Sequence, residues 1–170
     1  MGDDFDPKGK GYLLGTHILE KGFQAGSLIG VLVVGPLAAY RAARRGEGDV
    51  VRRAVKACGT SAVVGTVLAG TAGLGVVYGK GIPQEGIEDR VYRLHHNAGQ
   101  QRTDWFAWTG TALGLGAAAG RFGLLRDPRL LLGGAALGAA AGVLAHVATH
   151  KEDSVIPSNM VEELKSSGDG

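Results

Sequence analysis

The chain has 170 residues, one domain's worth. Thirty are glycine, 45% are apolar and only 6% are aromatic, so Ala and Gly supply much of what Leu, Ile and Phe supply in an ordinary core. The single cysteine, Cys58, excludes an intrachain disulfide framework and a thiolate metal cluster. The net charge of +2 says little as a total, and the mean hydropathy of +0.08 averages over strongly contrasting segments.

The acidic start, Met1-Gly2-Asp3-Asp4-Phe5-Asp6, matches neither an Arg-rich transit peptide nor the basic start of a secretory signal. Asp6 stands where N-myristoylation expects Ser or Thr. Residues 1–21 read as a polar N-terminal segment. Beyond it, stretches free of Asp, Glu, Lys and Arg run over 22–40, 57–79, 105–120 and 130–150. A bilayer core takes about 20 helical residues. The third stretch reaches that length only if Arg121 snorkels to an interface and Phe122 joins the span. The expectation is an all-α polytopic membrane protein, a domain over 22–150 with four short Gly-rich spans at about 22–40, 57–79, 105–122 and 130–149. Pro36 is expected to kink the first, and Trp105, Phe106 and Trp108 to anchor the third at an interface. A short surface helix is expected over 86–96, and Pro128 is placed to start the fourth span. Residues 151–170 read as a polar tail in which Ser158 caps one turn.

Small residues recur at fourth-residue spacing in every span: Gly22, Gly26 and Gly30; Ser61 and Gly65, then Gly75 and Gly79; Gly110 and Gly114, then Gly116 and Gly120; Gly134, Gly138 and Gly142. Residues four apart share a helix face, and a bare face lets two backbones approach closely. These glycines are the expected helix-packing positions.

Charge is asymmetric. Loop 41–56 holds Arg41, Arg44, Arg45, Arg52, Arg53 and Lys56 against Glu47 and Asp49, and loop 121–129 holds Arg121, Arg126 and Arg129 against Asp127. With four spans both loops lie on one side, which the positive-inside rule places in the matrix or cytoplasm. These nine basic residues are expected to meet anionic headgroups such as cardiolipin rather than nucleic acid.

Chemistry is sparse. His17, His95, His96, His146 and His150 are the candidates for acid–base work or metal binding. His146 and His150 share a helix face but lack a third ligand, and no Walker loop, nucleophile elbow or dinucleotide fingerprint is present. No catalytic residue, metal, cofactor or small-molecule substrate is expected, and with no charge inside the spans an autonomous pump or carrier is not expected either.

Four local patterns carry a family resemblance: Gly75-Val76-Val77-Tyr78, then Arg102 and Asp104, then Gly110 to Gly114, with Ala39-Tyr40-Arg41 closing the first span. In these the chain resembles the mitochondrial inner-membrane translocase family, also called the preprotein and amino-acid transporter family. It is most similar to the member serving as an accessory subunit of the complex I membrane arm. The resemblance implies a mitochondrial inner-membrane location with both termini in the intermembrane space. It implies a non-catalytic structural subunit partnered by other membrane subunits. The alternative is a component of a protein or solute translocase of the inner membrane or an organelle envelope.

Overall fold

The computed structural model describes residues 6–123 and 127–149, apart from the side chains of Leu74 and Tyr78. Residues 1–5 of the acidic start, Arg126, His150 and the turn expected after Ser158 lie outside the described residues. Six α-helices are found among those that are described: α1 (Gly11–Ile29), α2 (Gly35–Arg44), α3 (Val50–Gly79), α4 (Gln84–His95), α5 (Ala98–Phe122) and α6 (Pro128–Thr149).

Local chemistry sets the boundaries. A π turn, Gly30–Val34, joins α1 to α2 without a break. Pro36 has no N–H, and its ring crowds the carbonyl four residues back. Widening the helix by one residue accommodates it, with the Gly35 N–H reaching back to the Gly30 carbonyl. That carbonyl also accepts the Cys58 thiol at 3.3 Å. Gly46, at φ +68°, takes the left-handed conformation that ends α2. Asp49 caps α3 by accepting the Arg52 N–H at 3.0 Å, and Asn97 caps α5 through the Gln100 N–H at 2.9 Å.

α5 lies along α6, α1 and α2 lie along α3, and contact between α3 and α6 joins the two pairs, with α4 across α1. The core is built from small side chains, among them Ala62, Ala136, Ala139 and Ala140, with Leu130 and Val91 the largest that are fully buried. Backbone therefore meets backbone. A Cβ at Gly26 would sit 2.5 Å from the Ser61 carbonyl, and one at Gly65 would sit 2.7 Å from Cα of Gly26. Gly110 and Gly114 face Gly134, Gly138 and Gly142 in the same way. Gly59 and Gly133 form the α3–α6 crossing, where a Cβ on Gly59 would lie 2.7 Å from the Gly133 nitrogen.

The expectation of a polytopic membrane domain with four spans is corrected by these helices. Three stretches, Gly11–Arg44, Val50–Val77 and Pro128–Thr149, are long and apolar enough to cross a membrane by length and composition. α5, which holds the proposed third span, is not. Its uncharged positions are mainly Gly, Ala and Thr, and it begins at Ala98, so Arg102 and Asp104 belong to the helix. α1 likewise begins at Gly11 and carries Glu20 and Lys21 within it. The charge-free stretches are thus parts of longer helices whose charged turns meet one another. The all-α bundle closes on a half-buried ionic cluster.

Candidate metal centre between α1 and α5

His17, Glu20, Lys21 and Gln24 occupy successive turns of α1 at spacings of three and four, which puts them on one face. α5 answers with Gln100, Asp104 and Trp108, again four apart. The Asp104 carboxylate is the hub. Its Oδ1 accepts from Lys21 Nζ, from Gln24 Nε2 at 3.0 Å and from Gln100 Nε2 at 3.0 Å. Lys21 also donates to Gln24 Oε1 at 2.7 Å, and Gln24 Nε2 to Glu20 Oε1 at 3.2 Å. Both amide protons of Gln24, a side chain only 6% exposed, are thereby used. The other Asp104 oxygen, Oδ2, faces His17 Nδ1 at 3.8 Å, too far for a hydrogen bond.

Two carboxylates share this site with a single ammonium. Burial, and after it the Asp104 charge, pushes the Glu20 carboxyl above its usual range, against the Lys21 charge and a hydrogen bond from Trp108. Burial holds the His17 imidazole below its ordinary value, with Lys21 adding to the effect and Asp104 opposing it. For Asp104, burial alone would raise the carboxyl. The hydrogen bonds from Lys21, Gln24 and Gln100 and the Lys21 charge outweigh it and hold the group low. At neutral pH the cluster holds a neutral imidazole and more negative than positive charge, a combination that favours a cation.

His17, Glu20 and Asp104 each offer one ligand atom, and the three atoms lie within 4.8 Å of one another. Zinc bonds of about 2.0–2.2 Å hold such atoms nearer 3.4 Å apart, so side-chain rotations would close the set. Asp104 suits the role because its two oxygens are differentiated. Oδ1 is fixed by Lys21, Gln24 and Gln100, the kind of outer hydrogen bonding that orients metal-binding carboxylates, and Oδ2 is the oxygen turned towards His17. A groove of about 250 Å³ opens beside the cluster, lined also by Leu13, Val91, Leu94 and His95. It leaves a fourth coordination position accessible.

The pH dependence follows from these shifts. The depressed His17 value means that its stabilising contribution is present above about pH 6.5 and lost as pH falls through the folded value. Asp104 repeats this at lower pH, its contribution being lost as pH falls through its own depressed value. Glu20 has the opposite sign, its contribution being present at acid pH and lost as pH rises through its elevated value. The melting temperature of metal-free protein is therefore expected to fall between pH 6.5 and 5, and thermal scans of His17→Gln should show a smaller fall over that interval.

The remaining residues singled out by sequence lie elsewhere. His95 and His96 end α4, with rings 5.1 Å apart. His146 is buried in α6, its ring 5.9 Å from that of Phe106. Gly22, Gly26, Gly30 and Gly65 lie in the α1–α3 contact, whereas a Cβ at Gly75, Gly79, Gly116 or Gly120 would meet nothing within 4 Å.

The basic loop residues are largely engaged within the chain. Arg52 pairs with Asp49 at 3.0 Å, Arg53 and Arg45 with Glu47 at 2.7 and 3.9 Å, and Lys56 with Asp127 at 2.6 Å. Arg44 donates to Tyr40 Oη at 3.2 Å, and Arg121 stacks over Phe122. Arg41 and Arg129 are exposed. This internal pairing corrects the assignment of the basic loops to cardiolipin.

Sequence reasoning named His17 as a ligand candidate and Asp104 only as part of a family pattern, and it gave Glu20, Lys21 and Gln24 no part in a metal site. The available signal was the His-x-x-Glu spacing of His17 and Glu20, a pairing that recurs in reverse order in bundle metal sites.

A family model described as a protein of unknown function, DUF1757, matches residues 11–127. No curated protein matches the chain. The match replaces the translocase-family resemblance. The patterns that carried that resemblance are short spacings of Gly, aromatic and charged residues, which a Gly-rich helical chain with charged helix ends supplies readily. The complex I subunit assignment, its translocase alternative, the membrane-subunit partners and the inner-membrane placement with intermembrane-space termini all rested on that resemblance and on charge-free spans. They are corrected with it.

Proposed function

The chain belongs to the DUF1757 family, whose description carries no function, and we propose that it is a non-enzymatic helical bundle that binds one divalent transition-metal ion, of the zinc class, at His17, Glu20 and Asp104. The observation that supports this most is the convergence of one imidazole and two carboxylates from two helices within 4.8 Å, with negative charge in excess. One nitrogen and two oxygen ligands suit zinc, or manganese and iron in its place, better than copper(I), which prefers sulfur. The ion would clamp the first half of α1 to the start of α5, where the close Gly–Gly packing of the other helix pairs is missing. The fourth position would be filled by water or by His95 from the same groove. A structural rather than catalytic role is favoured because the one hydroxyl among the described residues lining the groove, that of Thr16, donates to the Leu13 carbonyl at 3.0 Å. The one thiol, Cys58, is buried against the Gly30 carbonyl in the α1–α3 contact.

Trp108 gives a direct readout, since its indole hydrogen-bonds to Glu20. Zinc titrated into metal-free protein is expected to change tryptophan emission saturably at one equivalent, with His17→Ala and Glu20→Gln abolishing the change. A titration showing no saturable change in the wild type, or the same change in both variants, would sink the reading.

A further inference from the structure

A groove of about 330 Å³ opens where α2 meets α3. Four basic side chains line it: Arg41 and Arg45, four apart at the end of α2, and Arg53 and Lys56, three apart in the first turns of α3. Spacings of three and four put each pair on one helix face. Two carboxylates meet these four cations. Lys56 pairs with Asp127 at 2.6 Å. The single Glu47 carboxylate serves both arginines beside it, with Oε2 2.7 Å from Arg53 Nε and Oε1 3.9 Å from Arg45 Nη1. Arg41 is exposed, and no carboxylate pairs with it among the described residues. The groove thus keeps two positive charges in excess after its internal pairing. Glu47 marks where an anion settles, between two guanidiniums. It is carried there by a turn with glycine on either side, Gly46 at φ +68°.

We propose that this groove binds a soluble phosphate monoester, whose dianion displaces the Glu47 carboxylate from between Arg45 and Arg53 and reaches Arg41. The exchange favours phosphate on two counts. A phosphate monoester carries about −1.5 to −2 charge at pH 7, against the single charge of a carboxylate, and it offers three strong acceptor oxygens. Guanidiniums meet such oxygens two at a time, and three guanidiniums line this groove. Its size points to an ester rather than the bare ion. At about 30 Å³ for a water-sized group, a four-oxygen anion fills roughly a third of the space. The floor beyond is formed by Ala38 and Ala42, against which a short carbon skeleton would lie. None of these residues belongs to the His17, Glu20 and Asp104 cluster, so the two sites stand or fall separately.

Isothermal titration calorimetry of the full chain with glycerol phosphate, at constant ionic strength, tests it. One equivalent is expected to bind, more tightly than inorganic phosphate does. Arg41→Gln and Arg53→Gln should each weaken binding about tenfold, as the loss of a hydrogen bond to a charged group implies, with helical circular dichroism unchanged. Glu47→Gln removes the competing carboxylate and should tighten binding several-fold. Two controls separate the groove from diffuse charge. Arg44→Gln removes a cation that bonds Tyr40 outside the groove. Asp49→Asn removes as much negative charge as Glu47→Gln while keeping a residue that can cap α3. Both should leave the constant within about twofold, since exposed charges at a distance are screened. A wild type without saturable uptake of the ester at millimolar concentration would overturn the proposal. So would equal tightening by Asp49→Asn and Glu47→Gln. Binding to vesicles containing phosphatidic acid but not to the free ester would overturn it too, by giving the groove to a membrane headgroup.

Discussion

Gly138→Ala is expected to destabilise the fold by about 2–4 kcal/mol, while the same substitution at Gly75 stabilises it by about 0.5–1 kcal/mol. Both glycines lie inside helices and both sit four residues from another glycine. They differ in what a methyl group would meet. At Gly138 it would run into the Gly110 carbonyl and come within 3.0 Å of Cα of Gly114. These are backbone atoms, and α5 and α6 would have to separate to relieve the overlap. That separation loosens the extensive small-residue contact along the whole pair. At Gly75 a methyl group would enter open space, so only the reduced freedom of the unfolded chain is felt. Thermal denaturation should show Gly138→Ala melting about 10 °C lower and Gly75→Ala about 2 °C higher. Equal effects of the two would mean that α5 and α6 do not pack backbone to backbone.

That contrast shows what a single sequence can reveal about such a bundle. The fourth-residue spacing marks glycine rows, but it is identical at Gly110 and Gly114, which touch α6, and at Gly116 and Gly120, which touch nothing among the described residues. Spacing identifies a helix face, and only the arrangement of the other helices decides whether that face is covered. Gly59 and Gly133 were invisible for the converse reason. Each is a single close point at a helix crossing, and a crossing leaves no periodic trace. The ionic cluster was hidden more thoroughly. Lys21 and Asp104 are 83 residues apart, and both sat just outside the charge-free stretches that drew attention. Reading those stretches as complete spans cut α1 and α5 short at the turns that carry the charges, and the membrane assignment followed from that truncation.

Asp104→Asn carries the second large effect. It removes the charge that Lys21, Gln24 and Gln100 are arranged to meet, and the amide must turn its NH₂ group towards one of two sets of neighbours. Lys21 then loses its carboxylate hydrogen-bond partner, and Gln24 donates to a weaker acceptor. Hydrogen bonds to charged groups contribute about 1.5–3 kcal/mol. With the Lys21 side chain 30% exposed, water recovers part of that, leaving a loss of about 1–2 kcal/mol at pH 7. Glu20→Gln should behave differently in metal-free protein. It removes a carboxylate whose ionised form the site disfavours, so stability above neutral pH should hold or rise. Denaturant unfolding of the two variants side by side checks this. If both lose stability equally, the excess negative charge assigned to the cluster is not there.

The metal ion proposed for the cluster would match this excess charge. The most direct measurement is the zinc bound per chain at equilibrium dialysis, with metal-free wild type and Asp104→Asn dialysed together against micromolar zinc. One equivalent retained by the wild type and none by Asp104→Asn is the predicted result. Wild type that retains no zinc, or a variant that retains as much, would contradict the account and leave the Asp104 network as an internal ion pair between α1 and α5.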